Sequence, residues 1–96
     1  MMGYGEKVAA VSGDVYKGDF LDNKEHGKGR LEFASGGWYD GMFLNGRMHG
    51  RGKREYATRD VYEGDFHENN QHGNGVMTYV DGSYYKGCWH QGKANG

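Results

Sequence analysis

The chain has 96 residues, of which 35% are hydrophobic, 26% are charged and 19 are glycine, and it contains no proline and one cysteine. A chain of this length forms one domain at most and buries about 60–65% of its unfolded surface. Because glycine is nearly three times as frequent as its usual ~7%, a globule with a deep two-layer core is not expected. Lysine and arginine number 12 against 13 aspartates and glutamates, so no overall positive charge favours nucleic-acid binding.

Membrane-spanning and secreted proteins are also disfavoured. The longest uncharged apolar run is Val-Ala-Ala-Val at 8–11, far short of the ~20 residues that span a bilayer. The first residues carry neither the basic nor the apolar segment of a secretory signal. Cys88 has no internal disulfide partner, which fits a reducing compartment. We therefore expect a cytoplasmic protein, and the 15% of aromatic residues argue against disorder.

The chain repeats itself with a period of 23 residues. Each unit carries a tyrosine, a glycine two residues later, an aromatic residue two further on and, six residues after that, His-Gly or Asn-Gly. The tyrosines are Tyr16, Tyr39, Tyr62 and Tyr85, and the aromatic residues that follow them are Phe20, Phe43, Phe66 and Trp89. We treat residues 1–96 as one array, with units at 15–37, 38–60 and 61–83 and partial units at 3–14 and 84–96.

Within a unit the side chains alternate with a period of two. Tyr16, Gly18 and Phe20 point one way, while Lys17 and Asp19 point the other. The second half of the unit, residues 27–33, repeats this alternation, with the histidine of His-Gly at the start of the strand. Each unit therefore predicts two short strands with one aromatic and glycine-rich face and one polar face, and no helix. The glycines would leave space over which neighbouring aromatic rings can lie.

Two turns connect the strands. The first contains a column of residues that tolerate positive φ, so a left-handed residue is predicted there; the column is Asn23, Gly46, Asn69 and Gly92. The second turn has a glycine at Gly13, Gly36 and Gly82. The equivalent residue in the turn between units 38–60 and 61–83 is Arg59, and we expect a different conformation there. One extra residue between Gly5 and Gly13 predicts a bulge.

The pattern Tyr-x-Gly-x-aromatic followed by His-Gly-x-Gly resembles MORN (membrane occupation and recognition nexus) repeats. The segments YKGDFLDNKEHGKGRLEFASGG and YEGDFHENNQHGNGVMTYVDGS carry this resemblance, which covers residues 3–96. It implies an all-β fold, a single-layer twisted antiparallel meander of consecutive hairpins. The chain departs from the pattern at Arg54, where Leu31 and Met77 occupy the same column, at Arg59 and at Asn95.

No catalytic, metal or cofactor site is predicted. His26, His49 and His72 lie in successive hairpins about 10 Å apart, too far to share one zinc ion with its ~2.0–2.1 Å bonds. The Gly-x-Gly pairs precede strands, whereas phosphate loops precede helices. Cys88 has no base or cation beside it in the sequence, so no activated nucleophile is visible.

Charge is unevenly distributed among the units. Residues 15–37 carry four basic and four acidic side chains, residues 38–60 carry five and three, and residues 61–83 carry none and four. The charges of adjacent hairpins could neutralise each other, with each exposed ion pair stabilising the fold by ~0–1 kcal/mol. Alternatively, they could form a charge-patterned docking surface. The basic side chains that could bind anionic lipid are Arg47, Arg51, Lys53 and Arg59.

The aromatic face is the main functional candidate. Its side chains could serve only to cover each other, or they could form an apolar trough that docks a helix or extended segment of a partner protein. Arg54 in that trough would favour an acidic residue on the partner. The candidate partner-binding residues are Tyr16, Phe20, Tyr39, Phe43, Arg54, Tyr56, Tyr62, Phe66, Tyr79, Tyr85 and Trp89; Phe33 lies on the same face.

The leading hypothesis is a non-enzymatic scaffold module that docks a protein partner within a larger assembly. The resemblance implies a cytoskeletal or ciliary setting, because MORN proteins commonly act there. The alternatives are peripheral binding to anionic phospholipid and a regulatory segment of a larger enzyme. Self-association through sheet edges or aromatic faces is a further expectation, because an open array needs its ends covered.

Overall fold

The computed structural model describes residues 2–8, 12–22 and 24–94, and this part of the chain contains nine β-strands and no helix. Each strand pairs antiparallel with its neighbours in the chain, so the spatial order is β1 to β9 in one open sheet. The predicted all-β meander of consecutive hairpins is confirmed. The strands are β1 Met2–Val8, β2 Val15–Leu21, β3 Lys24–Glu32, β4 Trp38–Leu44, β5 Arg47–Glu55, β6 Val61–His67, β7 Asn70–Thr78, β8 Tyr84–His90 and β9 Lys93–Ala94.

The alternation of side chains produces two chemically different faces. Tyr39 stands opposite Leu31 on one side and Arg54 on the other, so these residues share what we call the tyrosine face. Asp40, the next residue along β4, stands between Arg30 and Lys53 on what we call the charged face. The period of two in the sequence therefore assigned residues to the correct faces.

The strands of each unit are joined by two-residue turns. Asn45 and Gly46 both have positive φ, 51° and 83°, which is the signature of a type I′ turn. The predicted left-handed residue is confirmed at Gly46, Asn69 and Gly92, while Asn23 lies outside the described residues. The sequence did not predict that the preceding residue is left-handed as well; these residues are Asp22, Asn45, Glu68 and Gln91.

The turn at Arg59 corrects a prediction. Arg59 has a φ of 80° and donates its backbone N–H to Tyr56 O at 2.9 Å, as Gly36 donates to Phe33 O at 3.0 Å. The arginine thus takes the conformation of the glycine it replaces instead of a different one. A side chain in the left-handed region costs about 1–2 kcal/mol, and the surrounding hairpin imposes it here.

Replacing Arg59 with glycine is therefore expected to raise the free energy of unfolding by about 0.5–1 kcal/mol, since glycine relieves the left-handed strain but loses more chain entropy. Urea denaturation measures the change. Arg59→Ala is the matched control, because it removes the long side chain and keeps the Cβ. Equal gains in the two variants would show that the left-handed conformation carries no cost.

Bulges interrupt the pairing inside the three complete units. Gly18 stands opposite Gly29 and Phe20 opposite Glu25, so three residues of β3, 26–28, face the single Asp19. Gly27 in this bulge has a φ of 73°, which explains the glycine after each histidine. The histidines were predicted to start the second strands, but the strands begin two residues earlier. The β1–β2 register is continuous from Met2 to Val8, and the rest of the predicted bulge, at 9–11, lies outside the described residues.

The core is a ladder of aromatic rings on the tyrosine face. The ring of Tyr39 meets Phe43 at 5.1 Å and Phe66 at 4.9 Å between centroids, both edge to face, a favourable geometry. The same contacts recur across the sheet with interplanar angles of 80–88°. We call this set the ladder; its members are Tyr16, Phe20, Tyr39, Phe43, Tyr62, Phe66, Tyr85 and Trp89.

Paired glycines make room for each tyrosine. Gly41 stands opposite Gly52, and a Cβ on Gly52 would lie less than 3.0 Å from the Tyr39 ring and hydroxyl. The ring therefore lies across these glycines, as predicted, and its hydroxyl donates to Met42 O at 2.7 Å. Equivalent bonds occur at Tyr16 and Tyr62. A single layer can thus bury its own core without a second sheet.

The buried phenols make alkaline stability a test of the ladder. Burial is the main cause that raises the pKa of Tyr16 and of Tyr62 to about 12, and it raises the pKa of Tyr39 as well. An unfolded phenol loses its proton near pH ~10, so between these values the folded state holds more protons and stability falls as pH rises. We expect phenolate absorbance to appear together with loss of the β circular-dichroism signal. Full ionisation of all eight tyrosines in a folded sheet would contradict this.

Candidate functional site

The predicted partner-binding residues fall into two groups. Six ladder residues are at most 6% exposed, so other protein atoms already cover them; they are Tyr16, Tyr39, Phe43, Tyr62, Phe66 and Trp89. Phe20, Tyr56 and Tyr85 are partly buried against this core, and Tyr79 is 37% exposed. The ladder itself therefore forms no open trough, and the accessible part of the tyrosine face lies beside it.

An accessible groove runs over the middle of the tyrosine face. Two cavities of about 400 and 450 Å³ adjoin there, and Arg54 lines both. Leu31, Phe33 and Met48 line the first, and Tyr56 and Met77 line the second. We call the surface formed by these six side chains the Arg54 groove.

Arg54 is held between two aromatic rings in this groove. Its guanidinium carbon lies 4.3 Å from the Phe33 ring centroid and 4.5 Å from that of Tyr56, within the range of cation–π attraction. Desolvation by burial lowers the pKa of Arg54 and raises that of Tyr56. The Tyr56 hydroxyl also accepts a hydrogen bond from Gln71 Nε2, which fixes the ring against β7.

Sequence reasoning placed Arg54 and Tyr56 correctly on this face but omitted much of the groove. Leu31 and Met77 occupy the column of Arg54, so the 23-residue period could have included them. Met48 shares its column with Glu25 and Gln71, which have a different chemistry. No sequence signal marks Met48, although it is only 4% exposed.

The basic residues considered for lipid binding are dispersed and mostly beside acidic ones. Arg47 lies 3.0 Å from a carboxylate oxygen of Glu68, in the turn after β6, and Arg51 lies 3.4 Å from one of Asp65, in β6. Lys53 stands between Asp40 and Glu63 in the register of the sheet, and Arg59 lies in a turn at the opposite end of the strands. This arrangement matches the expected neutralisation between adjacent hairpins.

The histidines form a row that the sequence did not predict. His49 and His67 face each other from neighbouring strands at 5.0 Å between ring centroids, and His72 and His90 continue the row at 5.3 and 5.6 Å. Across 2–8, 12–22 and 24–94, no group of three or more histidine, cysteine, aspartate or glutamate side chains is arranged to hold a metal ion. The same residues include no helix that could cross a bilayer.

Comparison with known proteins agrees with the repeat pattern. A family model described as MORN repeat matches residues 16–38, 39–61, 62–84 and 85–96, four consecutive repeats. Each match begins one residue after the corresponding unit boundary used above. No curated protein matches the chain significantly.

Proposed function

Because the chain belongs to the MORN repeat family, we propose that it is a non-enzymatic scaffold module that holds a helix or extended segment of a partner protein along its tyrosine face. The observation that carries this proposal is the Arg54 groove. Leu31, Phe33 and Tyr56 stay partly accessible beside the core, Met48 and Met77 belong to the core beneath them, and the two cavities meet at Arg54. Concave apolar surfaces with a few polar groups are where proteins bind ligands and peptides.

The proposal extends to the setting of the molecule. A rigid sheet that presents one binding face suits a scaffold in a larger cytoplasmic assembly, and the family resemblance favours a cytoskeletal or ciliary one. A regulatory role within a longer enzyme is an alternative that uses the same face. Both roles require the groove to bind a protein segment, so the groove is the feature to test.

Lipid binding is the second candidate, and the pairing of charges on the charged face argues against it. Attraction to an anionic membrane requires several basic side chains that are free to act together, at ~1 kcal/mol each. Arg47 and Arg51 already face carboxylates. We therefore expect no retention of the protein on phosphatidylserine vesicles at low salt, and retention that moderate salt abolishes would favour this candidate instead.

The docking proposal is tested by site-specific photo-crosslinking of the full chain in its source cells. A photoreactive side chain at Leu31, in the groove, is expected to crosslink a protein segment that mass spectrometry can identify. The same group at Lys53, on the charged face, is the matched control. Crosslinks to that segment only from position 53 would contradict docking in the groove.

Substitutions at the ladder do not serve this purpose. Phe43 and Phe66 are 4% and 3% exposed, so an aspartate at either position would bury a carboxylate and unfold the sheet. Leu31→Arg is better suited, because the same column accommodates Arg54 one repeat further on. It is expected to leave the fold intact and to weaken binding of the segment that the crosslinking identifies.

A further inference from the structure

Arg54 is exceptional among the arginines of the sheet. Arg30, Arg47 and Arg51 each have a carboxylate oxygen within 4.0 Å. Among the described residues Arg54 has no such ion pair, and its Nε is buried without a hydrogen-bond partner. A buried donor that lacks a partner is costly, whereas leucine or methionine occupies this column in the other complete units.

The described residues around the guanidinium hold it in place without giving it a carboxylate partner at ion-pair distance. The guanidinium carbon lies within 4.5 Å of the ring centroids of both Phe33 and Tyr56, so two aromatic rings fix its position. Asp14 lines the first cavity and attracts Arg54 at longer range. Its Oδ1 already accepts the backbone N–H of Ala34 at 2.9 Å, so this carboxylate caps a turn.

From this geometry, and resting on the docking function proposed above, we infer that Arg54 is the receptor for a side-chain carboxylate, from an aspartate or glutamate of the bound partner segment. A guanidinium presents two parallel N–H donors that match the two oxygens of a carboxylate. The apolar lining of the groove requires apolar side chains on both sides of that acidic residue. The partner motif is therefore one carboxylate within an apolar stretch.

The local charges favour a carboxylate over a phosphate group. Glu25 and Asp14 line the same cavity as Arg54, and Lys7 lies 3.9 Å from Glu25. A phosphate carries nearly two negative charges at neutral pH and would be repelled by both carboxylates. A singly charged carboxylate meets less repulsion from them.

The inference is tested by selecting random peptides on the immobilised full chain. We expect the selected peptides to carry an aspartate or glutamate between apolar residues. Replacing that residue with its amide should weaken binding about tenfold or more, since hydrogen bonds between charged groups are the strong ones. Arg54→Leu, which restores the column residue, should weaken the acidic peptide equally and leave the amide peptide unchanged. Lys53→Leu, one residue away on the charged face, should alter neither.

The outcomes separate this inference from the docking function. The selected peptides could bind the wild type, fail to bind Leu31→Arg and bind Arg54→Leu as tightly as the wild type. That result would overturn the carboxylate inference and leave docking in the groove in place. A phosphopeptide that binds more tightly than the matched glutamate peptide would also overturn it. Failure to select any peptide, or selection of peptides indifferent to both substitutions, would contradict both proposals. Circular dichroism confirms that each variant is folded.

Discussion

Gly52→Ala is expected to lower the free energy of unfolding by about 3 kcal/mol or more, the upper end for overpacking a core. The added Cβ would lie less than 3.0 Å from three atoms of the Tyr39 side chain. That ring is fully buried and is held on opposite sides by Phe43 and Phe66, so it cannot move aside. A domain of this size has about 5–15 kcal/mol of stability in total, and the substitution removes a large share.

Urea denaturation measures this effect. Gly3→Ala is the control, because a Cβ added at Gly3 would meet no atom within 4 Å and the φ of Gly3 is not left-handed. The control is expected to change stability by less than about 0.5 kcal/mol. Similar small effects in both variants would mean that the tyrosine ring does not lie over the glycine pair.

Tyr39→Ala is expected to cost about 3–5 kcal/mol, as removal of a buried aromatic ring does. The ring contributes two edge-to-face contacts and links the second unit to the third. Tyr39→Phe keeps both contacts and loses only the hydrogen bond to Met42 O, so about 1 kcal/mol is expected. Chemical denaturation of the two variants separates ring packing from the hydroxyl.

Position in the ladder provides the internal comparison for this prediction. Tyr85 contacts only Trp89 among the described rings, and its hydroxyl lies 3.4 Å from Cys88 O. Tyr85→Ala should therefore cost clearly less than Tyr39→Ala. Equal losses at the two positions would show that stability does not depend on neighbours on both sides.

The repeat period and the alternation of side chains were sufficient to predict the fold. They determine which residues share a face, and the Asn and Gly column determines where each hairpin turns. Arg59 shows that the residue type alone does not determine the conformation of a turn. The pairing of the flanking strands imposes a left-handed conformation on a residue that disfavours it. The bulges opposite Asp19 and its equivalents were missed because the sequence does not state which strand carries the extra residues.

The candidate site was predicted in part. The sequence placed the aromatic residues on one face, but periodicity contains no information on how their rings are oriented. The edge-to-face arrangement buries Tyr39 and Tyr62 completely and leaves the accessible surface to side chains beside the ladder. Arg54 was singled out because it breaks its column, and its position between Phe33 and Tyr56 required coordinates.

Neighbouring hairpins are bonded to each other through their turns. The backbone N–H of Gly46 donates to Glu25 O, next to the bulge of the preceding hairpin, at 2.9 Å, and those of Asn69 and Gly92 donate to Met48 O and Gln71 O at 3.0 Å. An insertion or deletion of a single residue within a strand would break this match there and turn the side chains of that strand to the wrong face unless a bulge absorbed it. Such an array can lengthen or shorten only by whole units of two strands, so its binding face changes in steps of about 10 Å.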